Sequence, residues 1–167
     1  NASAAIEEAV RRVASIALVH ETLSASGQDT VAFDEVISKI IQSAAELSTR
    51  PNQITISKIG EFGAIQSLVA TPLALVITEL IHNALEHGLS EIGDTVNVCV
   101  AKSDSTLTVS VIDNGVGIPD DFSLEKNTNL GLQIVQTLTS NELAGSIEFL
   151  KPIKGTEVKL TLPLNRN

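Results

Sequence analysis

The sequence contains no methionine, tryptophan or tyrosine, and it has four phenylalanines and a single cysteine. A hydrophobic core must therefore be built almost entirely from aliphatic side chains. Cys99 has no second cysteine in the chain with which to form a disulfide, and it lies in an alternating apolar stretch. This is typical of a small strand residue in a reducing compartment, so we expect a cytoplasmic location. Because no initiator methionine is present, we expect a piece or a processed form of a longer chain.

Basic side chains are also scarce, since 11 Lys and Arg stand against 20 Asp and Glu, for a net charge of −9. Such a chain lacks the basic patch that nucleic acid or an anionic membrane requires, so we expect neither as a direct partner. It can still bind ATP, because Mg²⁺ and backbone N–H groups supply the opposing charge. The apolar runs are too short to span a bilayer and there is no signal peptide, so we expect no membrane contact within these residues.

Residues 3–26 have the pattern of one long helix with a narrow apolar stripe, as in a coiled coil. The stripe, at alternating steps of four and three, consists of Ile6, Val10, Val13 and Ala17. A single helix cannot bury this stripe by itself, so we expect a homodimer through it; docking on the chain's own domain is the alternative. A polar break around Gly27 predicts two units, residues 1–27 and residues 31–167.

After the break, apolar periodicity predicts helices and strands in the order αβα-ββ-loop-α-ββ. The predicted elements are a helix at 34–47 with Asp34 as its N-cap, a strand at 54–59, a helix from Pro72 to Gly88, a hairpin at 96–111, a loop at 113–129, a helix from Leu130, and strands at 145–150 and 156–162. Clustered hairpins predict an α+β fold: a two-layer α/β sandwich with a mixed, mainly antiparallel sheet and helices on one face, preceded by the long helix.

The helix that ends at Gly88 carries Glu79, Asn83 and His87 at positions i, i+4 and i+8, which predicts one polar row on its surface. A carboxylate one turn from a carboxamide provides oxygen ligands suited to an octahedral Mg²⁺ that also binds nucleotide phosphates. The alternative is an amphipathic helix with a solvated polar face.

Asp113 ends a predicted strand and is followed by Gly115 and Gly117. A carboxylate in this position can accept a hydrogen bond from an amino group such as adenine N6, and the glycines let a planar ring approach the backbone. The alternative is a surface turn, because Asp-Asn-Gly favours turns.

Two further features could bind nucleotide. Leu130, Gly131 and Leu132 open a predicted helix, where free N–H groups bind anions, although a simple helix start has the same pattern. Thr156 follows Gly155 at the start of the last strand, and its hydroxyl could share the adenine contact; hairpin chemistry is the alternative.

The order and spacing of these motifs over residues 31–164 resemble the GHKL (Bergerat) ATP-binding domain. The resemblance implies ATP and Mg²⁺ as ligands and assigns each motif a role. It makes Asn83 the Mg²⁺ ligand and Glu79 the catalytic carboxylate. Asp113, Gly115 and Gly117 match the family's adenine-binding motif. Gly131 matches its phosphate-binding motif, and Gly155-Thr156 match its third glycine motif.

Residues 11–23 resemble the second dimerisation helix of the HisKA_2 subclass of sensor histidine kinases. This implies transfer of the ATP γ-phosphoryl group to a histidine on an upstream helix, then to a response regulator; some members of the subclass pair with RNA-binding antiterminator regulators. The acceptor is expected to lie outside this chain. His20 is not expected to serve, because no proline follows it and it lies on what resembles the second helix.

The sequence departs from the family pattern at the phosphate-binding positions. Glu86 stands where many kinases have lysine, Asn127 and Asn129 replace two glycines, and Phe122 is the only phenylalanine in the loop. Two alternatives share the same motifs: an anti-sigma-type serine kinase and a non-catalytic, ATP-gated dimer that binds a partner. The long first helix favours the histidine kinase.

Overall fold

The computed structural model describes residues 2–24, 29–48, 50, 52–89, 92–118, 122 and 130–164. Its helices are α1 (Ala2–Ser24), α2 (Phe33–Leu47), α3 (Ser67–Asn83) and α4 (Leu130–Thr137); a π-helical turn follows α3 (Ala84–Gly88) and another follows α4 (Leu138–Glu142). Its strands are β1 (Thr30–Ala32), β2 (Thr55–Ile59), β3 (Ala64–Gln66), β4 (Thr95–Lys102), β5 (Thr106–Asp113), β6 (Ser146–Leu150) and β7 (Thr156–Pro163).

The main sheet has five strands in the order β2-β4-β5-β7-β6. β2 pairs with β4 in parallel, and the other neighbouring pairs are antiparallel. Alternate side chains of these strands, such as Val98, Val109 and Leu160, are buried in one core with α3. The predicted α+β sandwich and its mixed, mainly antiparallel sheet are therefore confirmed, and Cys99 lies on β4 as predicted.

A second, two-stranded sheet was absent from the sequence prediction. β1 and β3 are three residues long and antiparallel, with Val31 opposite Ile65. Both side chains are buried. Strands this short do not give a readable alternation. The pairing matters because β3 leads directly into α3, so the segment that follows α1 lies beside the beginning of α3.

Asp34 does not cap α2 as predicted. Ala32 occupies the N-cap position without a side-chain hydrogen bond, and Asp34 lies inside the first turn. Its carboxylate instead accepts hydrogen bonds from the backbone N–H groups of Phe62 and Gly63, at 2.9 and 2.8 Å, and pairs with Lys58. Donors from β2 and from the loop that follows it thus take the place of the local cap.

α3 begins five residues earlier than predicted, at Ser67, so Pro72 lies inside the helix and not in its first turn. Residues Ser67–Gly88 are also long and apolar enough, by length and composition, to cross a membrane, with a mean hydropathy of 1.6 over an 18-residue window. This corrects the expectation that all apolar runs are too short. The apolar side chains of this helix belong to the core of the domain, since Leu73, Ile77 and Ile81 have no exposed surface.

Among the α1 side chains that the structure describes, some pack against α2 and α3 and others are exposed. Val19 is 1% exposed, whereas Ile6, Val10 and Val13 are 64%, 62% and 67% exposed. One face of the helix therefore docks on the chain's own domain, and the predicted apolar stripe lies on another face and stays accessible.

Candidate nucleotide-binding site

A cavity of about 410 Å³ lies between the end of α3, the end of β5 and the start of β7. Its lining is mainly apolar, with a few polar groups, as is usual for a small-molecule site. The lining residues are Leu80, Asn83, Ala84, His87, Gly88, Val111, Asp113, Val116, Gly117, Ile118, Phe122, Leu132, Phe149, Thr156 and Val158.

Asp113 is the carboxylate of this cavity and is 4% exposed. Burial raises the pKa of its carboxyl, and hydrogen bonds from the backbone N–H groups of Gly115 and Thr156 oppose that rise. The Gly115 N–H donates to Oδ1 at 3.0 Å, and Thr156 lies opposite Asp113 in the β5–β7 register. The carboxyl group is thus fixed by backbone donors on both sides, with its remaining acceptor capacity available to a ligand amino group.

Because Gly88 and Gly115 have no side chains, the π-helical turn and the loop after β5 can approach each other closely. A side chain on Gly88 would overlap the Asp113 carboxyl, and one on Gly115 would overlap the backbone of Gly88 and Leu89. The Val116 N–H donates to the Gly88 carbonyl at 2.9 Å, which holds the π-helical turn against the loop after β5. Gly88 and Gly115 therefore pack directly against each other.

Asn114 fixes the same loop from its other side. Its Oδ1 accepts hydrogen bonds from the backbone N–H groups of Asp94 and Thr95, both at 2.9 Å, and its Nδ2 donates to Asp94 Oδ1 at 2.8 Å. Sequence reasoning treated Asn114 only as a turn former. Nothing in the local sequence indicates a partner 20 residues earlier.

The row of polar residues on α3 is divided by the structure. Asn83 and His87 line the cavity, but Glu79 does not. Glu79 is 6% exposed and binds Arg12 of α1. The π-helical turn begins only at Ala84, so it changes the angular position of His87 but not the spacing of Glu79 and Asn83, which lie one regular turn apart in α3.

Asn83 has unused hydrogen-bonding capacity. Its Nδ2 is buried and has no hydrogen-bond partner within the part of the chain that the structure describes. A buried amide without a partner is costly, so a bound polar group at this position would relieve the cost. His82, the residue before Asn83, has its Nε2 at 3.1 Å from Oε1 of Glu86, so the acidic residue found in place of the usual lysine lies at ion-pair distance from a histidine one turn before it.

The remaining predicted residues occupy different places around the cavity. Gly117, Leu132 and Thr156 line it. Gly115 and Gly131 are buried beside it without lining it, and Leu130 is 55% exposed. Asn127 and Asn129 lie outside the described residues.

Two aromatic side chains line the cavity without having been assigned a role from the sequence. The rings of Phe122 and Phe149 are 5.0 Å apart between centroids. Phe149 lies on β6 in an ordinary alternating strand, so its sequence context gives no sign that it borders a ligand site.

The described residues contain no cluster of three or more His, Cys, Asp or Glu side chains that could hold a metal ion by themselves. Within the cavity lining, the Asn83 carboxamide provides an oxygen that could serve as a metal ligand. An Mg²⁺ ion that keeps several waters and takes further ligands from nucleotide phosphates needs only one or two protein ligands, and this donor set fits such an ion.

Two family models match the chain. The family described as histidine kinase-, DNA gyrase B-, and HSP90-like ATPase matches residues 68–166, which include α3, the cavity and the main sheet from β4 onward. The HisKA_2 histidine kinase family matches residues 1–48, which include α1 and α2.

Relatives with similar sequences are sensor histidine kinases. PdtaS of Mycobacterium tuberculosis is 43% identical over 165 residues, covering 97% of this chain and 33% of that protein. PdtaS of Mycolicibacterium smegmatis is 42% identical over 167 residues, with the same shares covered. The chain thus spans about a third of the length of these relatives.

The fold also matches a solved structure, the histidine kinase domain from the Erythrobacter litoralis EL346 blue-light activated histidine kinase. The TM-score is 0.79 at 24% identity, over 93% of this chain and 74% of that one. The chain therefore belongs to the family of histidine kinase-, DNA gyrase B-, and HSP90-like ATPases, and its first 48 residues match the HisKA_2 histidine kinase family.

Proposed function

We propose that this chain binds Mg·ATP in the cavity beside Asp113 and donates the γ-phosphoryl group to a histidine. The observation that carries the proposal is the buried Asp113 carboxyl, held by two backbone donors at the wall of an apolar cavity. A planar heterocycle with an exocyclic amino group fits both the carboxylate and the apolar walls. Thr156 lies opposite Asp113 in the β5–β7 register, which supports a shared contact.

The phosphates and the metal are assigned to the other end of the cavity. Asn83 would hold Mg²⁺ together with the phosphates, and the metal when bound would offset their negative charge. Leu132 lines the cavity at the first turn of α4, where N–H groups favour anions. Leu130 and Gly131 belong to the same helix start, and His87 lies beside Asn83 at the cavity wall.

Glu79 is the proposed general base, which would orient or deprotonate the attacking group. It lies one helical turn before Asn83 on the same element, so the metal ligand and the base have a fixed spacing. This role requires the carboxylate to reach the reacting atoms.

The partners follow from the family. We propose that the acceptor histidine lies outside this chain, that a response regulator receives the phosphoryl group, and that the regulator is of the RNA-binding antiterminator type. The exposed stripe on α1 supports a homodimer. The free, half-buried Cys99 supports a cytoplasmic location.

The test is incubation of the chain with Mg²⁺ and γ-labelled ATP, with calorimetric ATP binding measured in parallel. Binding without label supports a donor domain separated from its acceptor. Acid-labile, base-stable label that is lost in His20→Ala would move the acceptor into this chain. Acid-stable label would indicate a serine kinase, and absence of ATP binding would overturn the proposal.

A further inference from the structure

Arg12 of α1 and Glu79 of α3 form a two-pronged ion pair. Arg12 Nε donates to Glu79 Oε1 at 2.8 Å, and Nη2 donates to Oε2 at 3.3 Å. The side chains are 11% and 8% exposed, so this pair is largely withdrawn from water. Both carboxylate oxygens of the proposed base are therefore engaged by a residue outside the ATPase-matched segment.

The position of Arg12 follows from the path of the chain. β1 follows α1 and pairs with β3, which leads straight into α3, so the end of α1 and the start of α3 lie close together. Arg12 is 12 residues before Ser24, and Glu79 is 12 residues after Ser67. The end of α1 lies beside the start of α3, so the two helices are antiparallel. Arg12 and Glu79 are each about 18 Å along the helix axis from those neighbouring ends, and they therefore meet.

This contact separates Glu79 from the cavity. Asn83 on the same helix and His87 in the turn that follows it line the nucleotide cavity, whereas Glu79 does not. Where Arg12 of α1 binds it, the Glu79 side chain is only 8% exposed. An acceptor group that is to be activated by Glu79 must take the place that Arg12 now occupies.

The pair is not needed to bury α1, because the same helix docks through Val19, which is 1% exposed, and through the partly buried Leu23. A buried ion pair adds little stability compared with apolar packing, whereas removal of one partner is strongly destabilising. Its loss leaves a buried carboxylate without a counterion, and release of the first half of α1 would restore water to that carboxylate.

We propose that Arg12 is a latch that holds the kinase in a resting state, in which α1 covers the Glu79 base until the helix shifts away from α3. The inference rests on the proposed role of Glu79. α1 presents its apolar stripe on another face, at Ile6, Val10 and Val13. A partner helix that binds this stripe can therefore move α1 and open the latch without entering the nucleotide cavity.

The experiment compares Arg12→Ala and Arg12→Lys with the unaltered chain. Lys39→Ala is the matched control, since it removes the same charge from an exposed position on neighbouring α2. Three quantities are measured: calorimetric Mg·ATP affinity, γ-phosphate release from labelled ATP, and hydrogen exchange of the α1 amides. Thermal unfolding establishes that each variant is folded.

The latch predicts that Arg12→Ala accelerates α1 amide exchange by roughly tenfold or more, as expected for a locally released helix. Phosphate release should rise several-fold, with the ATP affinity changed by less than about twofold, because the change acts on the base and not on nucleotide binding. Arg12→Lys, which keeps the charge but not the fork, should be intermediate. Lys39→Ala should behave like the unaltered chain.

Unchanged or lower phosphate release in folded Arg12→Ala that still binds ATP would overturn the latch. If phosphate release falls in Arg12→Ala and is restored in Arg12→Lys, Arg12 is a positioning residue instead. Adding Glu79→Gln to Arg12→Ala should abolish the increase in phosphate release. If the increase persists in the double variant, Glu79 is not the base and the latch is overturned as well. Loss of ATP binding in the unaltered chain would instead count against the proposed nucleotide site, so the two failures are distinguishable.

Discussion

Gly88 and Asp113 touch at the centre of the candidate site, where a side chain at residue 88 would overlap the Asp113 carboxyl. Gly88 ends the π-helical turn after α3, and Asp113 ends β5. The contact is the point at which the helix layer and the sheet layer meet at the cavity. The glycine that stops the helix is therefore also the residue that gives the buried carboxyl room.

Gly88→Ala should weaken ATP binding at least tenfold, which corresponds to about 1.4 kcal/mol. The added methyl group must displace either the Asp113 carboxyl or the turn that carries Gly88, because the three nearest atoms all belong to that buried carboxyl. Isothermal titration with Mg·ATP measures the effect. Gly63→Ala is the control for general backbone strain, since Gly63 has a φ of +66° and does not line the cavity, so this variant should keep its ATP affinity. Equal affinities of Gly88→Ala and the unaltered chain would contradict the packing argument.

Asp113→Asn should reduce ATP affinity by roughly 100-fold, because a hydrogen bond to a charged group is lost and a buried polar group is left mismatched. The carboxamide has nearly the same shape, so the fold should be retained. Asp104→Asn is the matched control, since Asp104 is exposed in the turn at the opposite end of β5. Measurable affinity within a few-fold of the unaltered chain would remove Asp113 from the adenine contact.

The main sheet and most of its flanking helices were predictable because their side chains alternate or repeat over long stretches. β7 has a strict alternation of buried and partly buried residues, and the hairpin of β4 and β5 has an unambiguous polar turn. Thr156 and Asp113 could be brought together from sequence for this reason. Their pairing needs only the strand order of the sheet.

Other features depend on contacts between distant residues, which no local pattern reports. Asp34 looked like a helix cap until its true partners, Phe62 and Gly63, were seen across the fold. Glu79 was placed in one row with Asn83, but a residue 67 positions away determines where its carboxylate points. Phe149 became a cavity residue only because β6 lies beside β7.

Asp34 should make the stability of the domain depend on pH in the acid range. Burial raises the pKa of its carboxyl, but hydrogen bonds from Lys58, Phe62 and Gly63 outweigh this and lower the pKa from 3.8 to about 2. A depressed pKa means that the native state binds protons less readily than the unfolded state. The stabilisation is therefore fully present above the unfolded value of 3.8 and is lost as pH falls towards about 2.

The measurement is the free energy of unfolding in urea for the unaltered chain and Asp34→Asn at several pH values. At pH 6 the variant should be less stable by about 1–2 kcal/mol, after allowance for solvent screening of a partly exposed carboxylate. The difference should shrink between pH 4 and pH 2, because protonated aspartate and asparagine are then similar. Glu35→Gln, exposed on the same turn, is the control. A difference independent of pH would contradict an ionic role for Asp34.

The exposed stripe on α1 should mediate self-association. Val10 and Val13 are 62% and 67% exposed on the face away from the chain's own domain, and they continue the spacing of a coiled-coil seam. Val10→Glu should raise the dimer dissociation constant at least tenfold, since burial of each valine contributes about 1.5–3 kcal/mol and a charge in the seam opposes association. Sedimentation equilibrium gives the constant directly.

Ala14→Glu is the matched control for this substitution, because Ala14 is exposed and flanks the stripe, at a position where coiled coils usually carry charge. It should leave the dimer unchanged. Dissociation by both variants would indicate general repulsion between acidic chains, and dissociation by neither would place the dimer contact elsewhere. If only Val10→Glu dissociates the dimer, the helix that carries Arg12 is also the helix by which two copies meet. Association and access to Glu79 would then be controlled by one element.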